Sequence, residues 1–475
     1  MEIVKENIFI MRKLFFLFTF LIPSTILSAE TDDVISKLSN IDLPVIYIET
    51  TNGEMPTYDI ADHPLGWGGR TIKNQTKVPG RIRITQKNQL LYDSGNYEEG
   101  NSGMTIRVRG NTSAWKHDKK PYKIKLQKKS DLLMRGDDNV FADKDWLLLK
   151  DENLRKSFTF KVNELMNLQW TPAYEYVNVV FNGTYYGIYM LVESVKRNTT
   201  CRLNVEKTGY IFEYDIYWWN EDVYVESPTP LPGVMNYTFK YPDPEKITNE
   251  QLSYFENMIY SMERSLANGT YHEYIDVNSF ASWILGHDIL GNIDGKGSNF
   301  YITKKDDTTN SKLMMGPLWD CEHMFEANET WDASRDVFVF PSLFDNNNQT
   351  FLKAYKNRWE EVSSTLFDDF VAYLENFATS DIAKAIDESM PLNNERWSKD
   401  YGSVRQYVDE AESWMIERMV WLEKKISKIK TSINTIQKDS HVNKNAALYN
   451  IYGIEVLHPL RPGVYIYNGK KVVKK

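Results

Sequence analysis

Residues 173–181, AYEYVNVVF, and 185–193, YYGIYMLVE, stand on either side of an Asn182-Gly183 pair. Asn-Gly tolerates the positive φ that both central residues of a tight type I′ turn require. The segment is therefore predicted as a β-hairpin, and the rest of the N-terminal half has to be compatible with a sheet around it. LPVIYIETT (43–51) reads as a first strand, followed by a polar stretch rich in Gly, Asn and Lys to about residue 103. Thr105–Arg109 alternates with period two and runs into the turn-forming Gly110-Asn111-Thr112-Ser113. Pro121–Leu126 alternates again as its partner, Trp146–Leu149 is a short apolar strand, and 209–215 adds another. Asn153–Leu168 reads as a helix.

The second half changes character. Phe280, Trp283, Ile284 and Leu290 recur at helical spacing, with Asp276 and Ser279 placed to cap. Residues 351–430 continue in helical pattern, 431–447 form a polar linker, and 448–475 read as short strands around a Pro462-Gly463 turn. The predicted class is α+β, with a β-rich part over about 42–220, a mainly helical part over 221–430 and a small C-terminal β segment.

A length of 475 residues suits two or three domains. The net charge of -9 argues against nucleic acid as the main partner while leaving room for a local basic pocket. Lys5 and the Arg12-Lys13 pair precede an apolar run, Leu14–Ile22, and then Leu27-Ser28-Ala29. That pattern predicts an export signal over 1–29, cleaved after Ala29, and the run is too short for a stable membrane span. The mature chain would be secreted, periplasmic or held at the cell surface. Two cysteines, Cys201 and Cys321, make neither a disulfide framework nor a zinc site.

Chemistry concentrates in 287–322. A helix ends, a Gly-rich loop carries Asp294, Lys296 and Asn299, a hairpin follows, and the chain reaches Trp319-Asp320 and Glu322. Helix, loop acid, hairpin, second acid is the order of a protein-kinase catalytic loop and metal-binding segment, and Asp294 and Asn299 keep its D-x-x-x-x-N spacing. Phosphoryl transfer needs a carboxylate to orient the acceptor hydroxyl, which Asp294 suits, and hard oxygens for Mg²⁺, which Asn299 and Asp320 suit. Glu322 is either a further ligand or a charged loop residue. Lys123 and Lys125, two apart on one strand face, either meet phosphates or form the solvent face of an edge strand. Arg109 either binds phosphate or pairs with an acid across the sheet. The loop at Asn111 could offer backbone N–H groups to phosphate. His287 reads as a packed or capping residue.

Four ordered stretches carry a resemblance. They are 106–113 with 119–126; Asp145-Trp-Leu-Leu-Leu with Arg155; 182–193; and Asn292-Ile-Asp294 with Asn299-Phe-Tyr and Trp319-Asp320. Together they resemble the CotH kinase-like family, named for a spore-coat protein, over about 42–430. The resemblance implies an atypical protein-kinase-like bilobal fold. It also implies ATP-dependent phosphorylation of a secreted or surface protein with Mg²⁺ or Mn²⁺. It gives Asp294 the catalytic acid's place, with Lys296 beside it, Asn299 and Asp320 the metal's, and Lys125 the place of the ATP lysine. Glu322 stands where many members have a second Asp, and no Asp-Phe-Gly or GxGxxG is present. For the Lys–Glu ion pair of kinases, Glu164 and Glu193 are the candidates. The last 28 residues resemble a type IX secretion sorting domain. Two other functions compete: a non-catalytic surface or adhesion protein that keeps the fold, and carbohydrate chemistry on paired carboxylates, for which no second acid of equal standing accompanies Asp294.

Overall fold

The computed structural model describes residues 33–64, 70–136, 139–228, 235–292, 299–326, 340–345 and 348–431, with four strands between 448 and 474. Its N-terminal part is built on β1 (Val45–Thr50), β2 (Asp59–Asp62), β3 (Arg70–Lys73), β4 (Val78–Gln86), β5 (Gln89–Asp93), β6 (Met104–Val108), β7 (Tyr122–Ser130), β8 (Asp143–Leu149), β9 (Tyr174–Phe181) and β10 (Thr184–Glu193). The large sheet runs β1-β9-β10-β8-β7-β6-β4-β5, and β1 also pairs with β4. That last pairing joins β1 back to β4 and closes seven of the strands into a barrel, which removes their open edges. β2 and β3 form a separate two-stranded ribbon.

Asn182 (φ 47°) and Gly183 (φ 79°) make the turn between β9 and β10, as Asn-Gly chemistry requires. The polar stretch before residue 103 instead contains β4. Its Val78, Gly80, Ile82 and Ile84 are buried at every second position, with Arg81 and Arg83 facing outward between them. A Cβ at Gly80 would lie 2.5 Å from the Glu49 carbonyl oxygen of β1, so the closing pair needs glycine there. β7 sits between β6 and β8, so Lys123 and Lys125 are not on an edge strand.

Inward-facing Ile46, Ile48, Ile82, Ile106, Ile124, Trp146, Leu148, Val177 and Val179 fill the barrel. The outward residues of the same strands, among them Leu147, Leu149, Met190 and Val192, join the main core. β8 is thus buried on both faces, which its apolar run reflects.

Against that outer face pack α2 (Arg155–Leu165), shorter than the predicted 153–168, and a second antiparallel sheet, whereas α1 (Thr112–Lys116) lies on β3 and puts Ala114 into the barrel cluster. The second sheet runs β12-β13-β11-β14-β15, with β11 (Tyr210–Asp215), β12 (Tyr224–Val225), β13 (Asn236–Tyr241), β14 (Tyr301–Lys304) and β15 (Leu313–Met315). The helices α3 (Asn249–Asn268), α4 (Val277–Leu290), α5 (Gln349–Val362), α6 (Leu366–Ala378), α7 (Asp381–Trp397) and α8 (Val404–Ile426) complete a mixed α+β architecture, β-rich first and helical later. Asp276 caps α4 through the Ser279 N–H at 2.8 Å. The C-terminal strands β16 (Leu448–Asn450), β17 (Glu455–Val456), β18 (Gly463–Tyr467) and β19 (Lys470–Lys474) form their own antiparallel sheet.

One buried cation joins barrel to helices. Lys119, 6% exposed, reaches Glu152 at 2.6 Å and Asn393 of α7 at 2.9 Å, and also donates to the Ile188 carbonyl of β10. Gly187 (φ 94°) at the β9–β10 bulge lets Asn393 approach and accept the Ile188 N–H at 3.1 Å. Among the described residues no helix is long and apolar enough to cross a membrane, and segment 1–29 lies outside them.

Gly80→Ala is expected to strain the closing strand pair and to lower stability by about 1–3 kcal/mol. Urea denaturation followed by tryptophan fluorescence measures it, and an unchanged midpoint would contradict the close approach to Glu49.

Candidate active site

The outer face of β6, β7 and β8 carries a basic row. Register pairs Arg107 with Lys123 and Thr105 with Lys125, and Lys125 with Asp145 of β8. The Lys123 ammonium lies 3.0 Å from Asp145 Oδ1, and Lys196 binds the same carboxylate. Burial alone would raise the Asp145 pKa, but Lys123 and Lys196 override it and hold the group at about 2. Lys123 therefore takes its acid from the neighbouring strand. Glu164 instead pairs with Lys161 on the surface, and Glu193 with Arg135. Lys125 is exposed and Arg109 half-buried, and among the described residues neither forms an ion pair. Arg107 lies within electrostatic reach of Asp145 and Glu221. The Asn111 side chain accepts a hydrogen bond from Thr71 of β3 at 2.6 Å, and its carbonyl accepts the Ala114 N–H as α1 begins.

A second cluster forms at the mouth of the β14–β15 hairpin. α4 ends at Gly291 (φ 56°), where a Cβ would meet Trp414 at 2.3 Å, so the chain leaves the helix through a position that only glycine fills easily. Asp294 and Lys296 follow directly and lie outside the described residues. β14 and β15 pair Ile302 with Met315, and the Gly316 N–H donates to the Tyr301 carbonyl at 2.8 Å. The hairpin thus returns the chain beside its own start and sets Asn299 near the segment leading to Asp320. Both Asn299 (φ 63°) and Asp320 (φ 53°) are left-handed. Such backbone is sparsely populated by residues other than glycine and concentrates at functional sites. The Asn299 N–H donates to Glu213 Oε1 of β11 at 2.8 Å.

Asp320 and Glu322 converge on Lys156 of α2. Its ammonium is 3.2 Å from Asp320 Oδ1 and 2.9 Å from Glu322 Oε2, and the side chain is 5% exposed. The Lys156 charge pulls Glu322 down to about 2. Asp151 anchors the helix that presents this lysine. Its carboxylate accepts the Lys156 N–H at 2.7 Å, the Ser157 N–H at 3.1 Å and the Tyr176 hydroxyl at 2.7 Å. Burial nevertheless raises Asp151 to about 6. Arg155 donates to the Glu322 carbonyl at 2.7 Å, which fixes the loop from its other side. His287 is buried against Trp283, and burial lowers its pKa to about 3, which suits a packed neutral ring.

The CotH kinase protein family model matches residues 106–422, a span that includes every residue of both clusters. The chain belongs to the CotH kinase family. No curated protein matches it. Among solved structures, the Helicobacter pylori proinflammatory kinase CtkA is similar at 11% identity over 63% of this chain and 95% of that one, with a TM-score of 0.28.

Within this CotH domain the donors at Asp320 and Glu322 are hard oxygens, close enough that one ammonium nitrogen touches both, which is the chemistry a Mg²⁺ or Mn²⁺ site needs. Among the described residues no three His, Cys, Asp or Glu side chains gather into a metal cluster. Sequence reading passed over Lys156, Lys150, Asp145 as the partner of Lys123, and Glu213. A lysine in the first turn of an amphipathic helix carries no mark of its target, and the Lys123–Asp145 pair depends on strand register.

Asp145 gives a pH signature. Its folded pKa of about 2 lies below the ordinary 3.8, so the stability it contributes is present above about pH 4 and lost as pH falls towards 2. Asp145→Asn leaves Lys123 without its acid and is expected to cost about 1–2 kcal/mol at pH 6, because both lysines that meet Asp145 are partly exposed. The gap from wild type should shrink at pH 3, as read by urea melts at the two pH values.

Proposed function

We propose that this CotH-family chain is an atypical kinase that moves the ATP γ-phosphoryl group to a hydroxyl of an exported or surface protein. The observation that carries the reading is the convergence of Asp320 and Glu322 on a single cation, at the far end of a hairpin that starts with Asn299. In this reading Asp320, Asn299 and Glu322 hold Mg²⁺ or Mn²⁺, which when bound would neutralise charge on the phosphate oxygens. Asp294 orients the acceptor hydroxyl and takes its proton, with Lys296 beside it. Lys125 and Arg109, which lack acid partners among the described residues, and Lys123, held by Asp145, face the polyphosphate. Asn111, tied to Thr71, contributes its loop rather than its amide. The barrel part and the helical part then act as the two lobes of a kinase-like domain over 30–430. Segment 1–29 serves as a cleaved export signal, 431–447 as a linker, and the C-terminal sheet as a sorting segment.

A second reading, a non-catalytic surface or adhesion protein, draws on Lys156, whose ammonium already satisfies the carboxylates a metal would need.

Incubation of the mature chain with γ-labelled ATP and Mg²⁺ or Mn²⁺, alongside Asp294→Ala and Asp320→Ala, separates them. Wild type should transfer label, and loss of the acid at Asp294 should cost about 10²–10⁴-fold in rate. Equal labelling by all three proteins would sink the assigned roles, and absence of nucleotide binding would favour the second reading.

A further inference from the structure

Lys156 is not placed like a surface lysine that happens to meet two acids. Its helix is fixed by Asp151 through two backbone N–H groups and the Tyr176 hydroxyl. Its side chain is 5% exposed, and its ammonium bridges Asp320 and Glu322 at 3.2 and 2.9 Å. Lys150, at the end of β8, lies within electrostatic reach of both carboxylates as well. Glu152, the next acid along the chain, is taken by Lys119. The two carboxylates therefore share one bridging ammonium, with Lys150 adding positive charge within electrostatic reach and Asp151 a third acid close to Lys156. A bare divalent cation entering it meets like charge and has to displace a buried, bridging lysine. The same ion arriving on a polyphosphate brings excess negative charge with it, and the objection disappears.

We propose that Lys156 is a resident cation of the Asp320–Glu322 pair, standing where a second divalent ion would otherwise sit. The site then takes a single divalent ion, and takes it tightly only together with polyphosphate. The polyphosphate half of this statement rests on the kinase reading; the lysine half does not.

The test is Mn²⁺ binding to the full metal-stripped chain, followed by electron paramagnetic resonance with and without the non-hydrolysable analogue AMP-PNP. Wild type is expected to bind Mn²⁺ poorly alone and to bind one equivalent with AMP-PNP. Lys156→Met and Lys156→Gln should bind Mn²⁺ alone about 10–100-fold more tightly than wild type. They should also melt at a lower temperature without metal and be rescued by Mn²⁺, whereas the wild-type melting temperature should barely respond. The glutamine variant keeps a polar head on the same stem and serves if the methionine variant fails to fold. Mn²⁺ binding by both variants no tighter than by wild type overturns the assignment, as do two Mn²⁺ on wild type without nucleotide. If AMP-PNP binds and the variants show no gain, the lysine assignment falls and the kinase reading stands. If AMP-PNP never binds while the gain is present, the kinase reading falls with its polyphosphate half, and the resident cation stands.

Discussion

The pairing of β1 with β4 is the constraint on which the rest depends. A sheet of seven strands left open would expose two edges and half of its apolar side chains. Closed, it holds Ile46, Ile82, Ile106, Ile124 and Trp146 in one interior and presents a stiff outer wall. That wall can bury apolar residues such as Leu147 and Leu149 and still carry charged ones beside them. Lys123 and Asp145 are examples: each is set by strand register to a spacing of a few ångströms, which a loop could not guarantee.

Parts of this were legible in the sequence because they are local. The Asn182-Gly183 turn, the Asp276 cap and the alternating β6 and β7 are governed by residues within one turn or strand, and each stands where the spacing puts it. β4 was hidden because its outward positions are Arg81 and Arg83 and one inward position is Gly80, so the alternation reads as a polar loop. Strand order was not legible at all, which is why an edge position for β7 stood as one of two alternatives although it lies in mid-sheet. The Lys123–Asp145 pair was hidden for the same reason, since it comes from strand register, while Glu164 and Glu193 pair with Lys161 and Arg135.

The site follows the same division. Asp320 and Glu322 could be found from the Trp-Asp pattern after a hairpin, because that geometry is short-range. Lys156, more than a hundred and sixty residues away in sequence from both, could not. Its encounter with them requires α2 to pack between the barrel and the β14–β15 hairpin, where Trp319 lies against Phe160 of that helix. Asn299 and Asp320, two of the thirteen described non-glycine residues with positive φ, lie one before and one after the hairpin.

Lys119 has a mechanical consequence. Its ammonium is shared by Glu152 after β8, a carbonyl of β10 and the Asn393 amide of α7, all shielded from water. Swinging the helices away from the barrel at this seam would strip a buried charge of its ligands with nothing to replace them. The joint therefore behaves as a weld rather than a hinge, and any change of shape has to arise away from this seam.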